Sequence, residues 1–520
     1  MNQRMLKQLL SRHAQLFGST SLQRVLGLGM SVGLLQLGLL LNPVYAEDHG
    51  SADASGPITA LTKLSSLRTA ATETAPRFPA IQEWHTASGM RVLFVNAPEI
   101  PVVNIRLTFA AGSSRDTAVR PGLFGLASLT AQLLDEGTRS QTTDQIAARF
   151  EALGTNYSAN AYRDMFAVEL QSLADQGHLQ ASVDQMLALL QDAQFPAESM
   201  DRIFQNASIG QKQREESPES IASIRFFREL YGAHPYAEPT TGTQASLKKI
   251  TREDLLAFRD RFLVAENASL AITGQLTAEQ AHALAASIDQ GLRHGQKADP
   301  LPDPVPLTAP RTVTVPFQSS QTHVLMGELG ITRANPDLIT LSVGNEVLGG
   351  GDFNALLMKE LREKRGLTYG AYSGFSPMLQ SGPFILSYST RGDQAAQSLS
   401  VAQDTLKRFL QTGPDPEALK EAKDGLLKGF PLSLASNASI NGYLAMMGFY
   451  GLPVSYLQNY WQSVASVTPE QVKTAFQTYV HPDRMLTVIV GQIPPGMASA
   501  SSPTPESLEK SADSAKQRSP

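Results

Sequence analysis

The chain has 520 residues, 42% of them hydrophobic, and a net charge of −5 from 43 basic and 48 acidic residues. This balance fits a globular protein of roughly two to four domains and offers no basic face of the kind that nucleic acid requires. Cysteine is absent, which excludes disulfides, thiolate metal sites, a cysteine nucleophile and a lipid-modified N-terminal cysteine.

The N-terminus predicts an export signal over residues 1–46. Arg4, Lys7, Arg12 and Arg24 form a basic leader, Val25 to Leu41 is an apolar run, and Val44-Tyr45-Ala46 offers a cleavage site before Glu47. These are the three parts of a secretory signal. The apolar run is slightly short for a membrane-spanning helix of about 20 residues. Cleavage after Ala46 is therefore expected, with an uncleaved anchor as the alternative, and either outcome places the body outside the cytoplasm, in the bacterial periplasm. Residues 47–78 are rich in Ala, Ser, Thr and Pro and read as a flexible lead-in. Residues 494–520 read as a disordered tail.

Between these ends the apolar periodicity switches repeatedly. Met90 to Asn96, Val102 to Ala110 and Phe166 to Leu173 have strand patterns, whereas Gly125 to Asp135, Thr143 to Leu153, Leu179 to Ala193 and Ala197 to Glu215 have helical spacing. Residues 297–310 carry five prolines between Pro300 and Pro310 and read as an extended linker. That linker divides the body into residues 79–296 and 311–493.

The two halves resemble each other. Ile250-Thr251-Arg252-Glu253-Asp254 and the following Ala271-Ile272-Thr273-Gly274-Gln275, shifted by 217 positions, meet Val467-Thr468-Pro469-Glu470-Gln471 and Val488-Ile489-Val490-Gly491-Gln492. Each copy predicts a helix capped by Thr, then an apolar strand closed by Gly. Gly154-Thr155-Asn156-Tyr157 likewise corresponds to Gly366-Leu367-Thr368-Tyr369. Two matches in the same order at nearly the same spacing indicate a duplication. The fold class expected is α+β: two homologous α/β sandwich domains in tandem, each a mostly antiparallel sheet with helices packed on one face.

The segment Pro121 to Thr138, PGLFGLASLTAQLLDEGT, resembles the zinc-helix region of the pitrilysin/insulinase-like (M16) peptidases. Active members carry His-x-x-Glu-His there: two His four apart hold zinc from one helix face, and the Glu between them activates the metal-bound water. In this chain the three positions are Ser128, Ala131 and Gln132. Ser and Gln are poor zinc ligands, and Ala has no proton-accepting group. The family's third ligand, a Glu on a later helix, falls at Gly210, and no carboxylate lies between Asp201 and Glu215. Independently, the nine His are never closer than twelve residues apart, which rules out a helical His pair. The resemblance therefore implies no metal in this chain and zinc in a partner subunit. The His234-Pro235-Tyr236 segment also resembles the family, and reads as a loop with a packed tyrosine and a capping histidine.

The second half retains more. Val347-Leu348-Gly349-Gly350-Gly351-Asp352-Phe353 leaves a helix through a glycine run, a further helix is expected from Asn354 to Lys364, and Leu361-Arg362-Glu363-Lys364-Arg365-Gly366-Leu367-Thr368-Tyr369 follows. This last stretch resembles the family's second-domain signature, in which an Arg and a Tyr seven residues apart assist catalysis; the matching residues are Arg362 and Tyr369. A guanidinium and a phenol can both donate to the oxyanion that peptide hydrolysis creates. Read from the residues alone, Arg362 is one solvated charge among Lys359, Glu360, Glu363, Lys364 and Arg365, and Tyr369 an ordinary residue at the start of a strand. Family members bind peptide as an added strand at the stretch matching Gly154 to Tyr162, where their usual Asn is Ser158 here. Gly349, Gly350 and Gly351 read either as a loop that touches peptide or as a tight turn that needs positive φ.

The function expected from this resemblance is that of an exported, zinc-free subunit of a heterodimeric peptidase, inactive alone. A zinc-bearing His-x-x-Glu-His partner would hydrolyse peptides or unfolded protein, and this chain would supply Arg362, Tyr369 and part of the chamber wall. The alternative is a non-catalytic structural or peptide-binding pseudo-peptidase. Ser128 as a nucleophile lacks both a nearby His and a Gly-x-Ser-x-Gly context.

Overall fold

The computed structural model describes residues 78–351 and 353–493. The expected signal and tail, nearly all of the lead-in, and Asp352 lie outside the described residues.

Two sheets organise the chain. The first comprises β1 (Gln82–His85), β2 (Arg91–Asn96), β3 (Val102–Phe109), β4 (Asn156–Ala161), β5 (Phe166–Leu173) and β6 (Ala268–Gly274), in the order β1-β2-β6-β3-β5-β4. The second comprises β7 (Arg311–Pro316), β8 (Thr322–Leu329), β9 (Ala371–Phe375), β10 (Pro383–Thr390) and β11 (Leu486–Gly491), in the order β7-β11-β8-β10-β9. With β1 set aside, the order is the same in both sheets, and so is the pairing. The first and last strands run parallel (β2 with β6, β7 with β11), and every other neighbouring pair is antiparallel.

The duplicated sequence marks fall at equivalent places. Thr251 and Thr468 each form a capping box, on helices Arg252–Phe262 and Pro469–Tyr479. Gly274 and Gly491 close β6 and β11 with φ of +147° and +144°. A side chain is excluded at both: a Cβ on Gly274 would stand 2.2 Å from the Val102 carbonyl oxygen, and one on Gly491 would stand 2.7 Å from Thr322 Cα.

The fold class is the expected one, but helices cover both faces of each sheet rather than one. On one face of the first sheet, Val92, Phe94 and Ile105 pack with helices of the same half. On the other face, Leu93, Val95 and Ala271 pack against Phe430, Leu444 and Met447 of the second half. The helix Asn437–Phe449 crosses that face. Gly448 faces the sheet there, where a Cβ would stand at contact distance, 3.4 Å, from Ser269. Asn441 anchors the helix by donating from Nδ2 to the Asn104 carbonyl at 3.1 Å.

The exchange is reciprocal. Helix Pro218–Tyr231 of the first half covers the second sheet, where Phe226 and Tyr231 pack on Val313, Leu486, Val488 and Val490. Gly327 on β8 makes room for this helix, because a Cβ there would approach Phe226 Cζ to 3.0 Å. Each large apolar side chain buried this way stabilises the assembly by about 1.5–3 kcal/mol. A strand buried on both faces carries a continuous apolar run, which is why Val92 to Val95 and Leu486 to Val490 show little polar alternation.

Candidate functional site

Helix Leu126–Leu133 lies beside the edge strand β4. It starts at Gly125, whose φ of +95° and 2.9 Å clearance from the Thr241 carbonyl oxygen leave no space for a side chain. The buried Asp116 carboxyl receives the Gly125 N–H at 2.6 Å and the Ala127 N–H at 2.8 Å, so its two oxygens satisfy N–H groups at the start of this helix. Burial pushes the Asp116 carboxyl up to about 8, against the backbone donors that favour its ionised form.

The degenerate positions are brought together on this helix. Ser128 and Gln132 share one face, and Gln132 Nε2 donates to both the hydroxyl and the carbonyl oxygen of Ser128, each at 3.2 Å. Ala131 is buried. The carboxylate just past the helix, Glu136, is engaged by Arg202 at 2.5 Å and Ser199 at 2.9 Å. Gly210 lies on helix Ala197–Glu215, and a Cβ on it would come within 3.9 Å of Arg214 Nη2. Among the described residues, no group of three or more His, Asp or Glu side chains could hold a metal ion. This donor set does not fit zinc.

Ser158 sits half-buried in β4, opposite Glu169 of β5. Strand β4 pairs only with β5, so it forms one edge of the first sheet. Each of the three glycines has a packing or conformational ground. A Cβ on Gly349 would meet Ser373 Oγ at 2.5 Å and Leu357 Cδ1 at 2.7 Å, and one on Gly350 would meet Glu346 Oε2 at 2.4 Å, while Gly351 takes φ +108° in the open. Gly349 thereby lets the end of helix Leu338–Gly349 approach β9. The buried Asn345 and Ser373 reinforce that contact with two hydrogen bonds of 2.7 Å.

The helix expected from Asn354 departs from that reading. Asn354 lies in a turn, and Met358–Glu363 forms a π-helical turn closed by the Lys364 N–H to Lys359 carbonyl bond. π-turns insert one residue into a helix and recur at functional sites. The repeat makes the insertion visible. In the first half the Thr155 N–H bonds the Phe150 carbonyl, five residues back, whereas the equivalent Leu367 N–H bonds Leu361, six residues back. Gly154 and Gly366 follow the two helices with φ of +60° and +61°. The inserted residue leaves Leu361 in the core, and Arg362 beside it is half-buried.

Arg362 is separated from the charges around it. The buried Glu360 carboxylate gathers Lys364 at 2.9 Å, Arg365 at 2.6 Å and Arg408 at 3.2 Å, and these cations hold it below the usual carboxylate range. Arg362 does not join this network. Its guanidinium lies 4.8 Å from the ring centroid of the exposed Phe353, and it has no carboxylate partner among the described residues. Tyr369 is 82% exposed. It lies in a bend ahead of β9 and not at the start of a strand, because Thr368 Oγ1 holds the turn through the Gly370 and Ser389 carbonyls. Its counterpart Tyr157 is half-buried and stacks on Phe150 at 5.0 Å. The same position of the repeat thus packs a ring in one half and presents a phenol to solvent in the other.

His234 is a packing residue. Its Nε2 faces the Pro302 carbonyl at 2.8 Å and its Nδ1 accepts the Tyr236 N–H at 3.1 Å. Tyr236 is fully buried and its hydroxyl donates to Asp164. Asp164 also receives the Leu379 N–H at 2.8 Å and the Tyr450 hydroxyl at 3.3 Å, which joins the two halves at one carboxylate. Asp164 and Asp116 carry no motif in the sequence, and Glu360 reads there as one of several solvated charges, not as the buried centre of an ion-pair network.

Two family models match the chain: insulinase (peptidase family M16) over residues 91–244, and peptidase M16 inactive domain over residues 249–426. The solved peptidase M16 inactive domain from Pseudomonas fluorescens is 38% identical, with a TM-score of 0.76, covering 79% of this chain and 98% of its own. A protease structure from Helicobacter pylori is 17% identical, with a TM-score of 0.72, over 79% of this chain and 100% of its own. Among sequence relatives, the uncharacterized zinc protease YmxG of Bacillus subtilis is 22% identical over 69% of this chain and 86% of its own. The non-peptidase homolog YmxG of H. pylori is 23% identical over 75% and 89%. The chain belongs to the M16, or insulinase, peptidase family.

Proposed function

We propose that this chain is the zinc-free subunit of a heterodimeric M16 peptidase, exported to the periplasm and inactive alone. One observation carries the reading: Tyr369 is presented to solvent by a braced bend, and the half-buried Arg362, on an inserted π-turn, stays out of the Glu360 ion-pair network that takes Lys364 and Arg365. A π-turn in a helix that otherwise repeats an ordinary one is a local departure of the kind that a function maintains. The match to the inactive-domain model over residues 249–426 supports the same reading.

In this account the partner subunit contributes the metal and its water. Arg362 and Tyr369 would donate hydrogen bonds to the carbonyl oxygen of the scissile peptide as it gains negative charge, acting where the charge develops and not on the ground state. Strand β4 offers an edge along which an extended peptide can add through backbone groups, independent of the change to Ser158.

The test is reconstitution. The purified chain alone is expected to leave an unfolded casein-like substrate intact and to contain no stoichiometric zinc. Mixed with an M16 subunit carrying His-x-x-Glu-His from the same cell, it is expected to form a complex that cleaves. Peptide binding with no cleavage in any such mixture would instead favour a pseudo-peptidase that only binds or scaffolds.

A further inference from the structure

Beside the start of helix Leu126–Leu133 and away from the Arg362–Tyr369 bend, a cleft opens between helix Ala197–Glu215, helix Pro218–Tyr231 and the segment 237–243. It consists of a recess of about 270 Å³ and an adjoining one of about 430 Å³, which share Arg214, Ile224 and Pro239 as walls.

Among the described residues, the two guanidiniums of the smaller recess form no ion pair with a carboxylate. Arg163 uses Nη1 to donate to the Tyr236 and Glu238 carbonyls, at 2.5 and 2.9 Å, and its charge lies 4.0 Å from the Phe227 ring centroid. The neighbouring Asp164 is taken by Tyr236, Tyr450 and the Leu379 N–H. Among the described residues, Arg214 makes one side-chain hydrogen bond, a long 3.4 Å approach from Nε to Gln211 Oε1. The position one turn before it, from which an acidic residue would pair with it, is Gly210. Burial lowers both arginines, Arg163 to about 10. Two like charges withdrawn from water into one recess are costly unless an anion joins them. Ser220, Ser223, Thr240 and Thr241 add hydroxyl donors to the same walls.

Other charges near the cleft are already paired. Arg228 forms a fork with Glu238, and Arg225 and Arg311 share Glu229. Glu215 stands exposed at the rim and receives Gln244 at 3.3 Å. The larger recess continues from Arg214 along Ile221, Ile224, Val315 and Pro316, an apolar wall that a bare inorganic anion leaves uncovered.

We propose that this cleft binds a small carboxylate carried on an aliphatic body, with the carboxylate between Arg163 and Arg214 and the body along Ile221, Ile224 and Val315. A guanidinium pair matches the planar, two-oxygen geometry of a carboxylate, and a pocket that is mostly apolar with a few convergent polar groups is the ordinary form of a small-molecule site. This proposal does not rest on the role proposed for Arg362 and Tyr369.

The test titrates the full chain by calorimetry with hexanoate and, separately, with inorganic phosphate. Saturable hexanoate binding at one site per chain is expected, at least tenfold weaker in Arg214→Gln and unchanged in the remote surface variant Arg391→Gln. Phosphate is expected to bind at least tenfold more weakly than hexanoate. If Arg214→Gln does not fold, Ser223→Ala decides the matter: an affinity about threefold lower supports the site. Absence of saturable hexanoate binding, equal affinity in Arg214→Gln, tighter binding of phosphate than of hexanoate, or an unaffected Ser223→Ala each overturns it.

Discussion

Removing the Asp164 carboxylate should cost the protein several kcal/mol, because it is the point at which the two halves share a buried anion. In Asp164→Ala the Tyr236 hydroxyl, the Leu379 N–H and the Tyr450 hydroxyl all lose their acceptor. A buried donor left unsatisfied costs about 1–3 kcal/mol. The 3.3 Å Tyr450 contact belongs at the low end, and partial relaxation reduces the rest, so a total of about 4 kcal/mol is expected. With unfolding entropy of about 2.1 cal/mol/K per residue over roughly 400 ordered residues, this lowers Tm by about 5 °C. Scanning calorimetry of wild type and variant at matched pH measures it.

The pH dependence gives a second handle on the same residue. Burial raises the Asp164 carboxyl above its ordinary value. A raised acid contributes its stability below the unfolded-state pKa and loses it as pH climbs through the folded one. The penalty of Asp164→Asn, which cannot ionise, should therefore be largest in acid and shrink as pH rises above the ordinary carboxylate range. A Tm for Asp164→Ala within 1 °C of wild type would refute the view that this carboxylate ties the halves together.

Three further outcomes are expected. Asp116→Ala removes the acceptor of two backbone N–H groups at the start of helix Leu126–Leu133 and should cost about 2–4 kcal/mol, read by urea denaturation. Ser128→His with Gln132→His restores two imidazoles to positions whose side chains already touch. That double variant should take up zinc weakly where wild type takes up none, as followed by equilibrium dialysis and metal analysis. Glu360 is held low by Lys364, Arg365 and Arg408, so its contribution is present above the unfolded carboxylate pKa and lost as pH falls through the folded one. Glu360→Gln should accordingly destabilise the protein at neutral pH and little in strong acid, by thermal melts across pH.

Much of this architecture was legible in the chain. The capped helices at Thr251 and Thr468 and the strand-closing Gly274 and Gly491 announced a duplicated unit, since local rules for caps and positive φ act within a few residues. The degenerate helix was equally plain, because two side chains four apart share a face in any helix. The exchanged helices were not legible. Which sheet Phe226 or Leu444 covers depends on contacts hundreds of residues apart, and an apolar stripe does not name its partner. The π-turn at Met358–Glu363 was hidden for a related reason: the spacing of apolar residues around Leu357 and Leu361 fits an ordinary helix, and the inserted residue shows only when hydrogen bonds are traced. Tyr369 was placed at a strand start because its neighbours have strand propensity, yet the Thr368 side chain captures the backbone and delays the strand to Ala371.

The central claim is that Arg362 and Tyr369 serve a site completed by another subunit, and one kinetic comparison addresses it most directly. In the reconstituted complex, Arg362→Ala is expected to lower kcat by about 10²–10³, equivalent to about 3–4 kcal/mol for one lost oxyanion donor, with complex formation and zinc content unchanged. Full activity in the complex carrying Arg362→Ala would contradict the account.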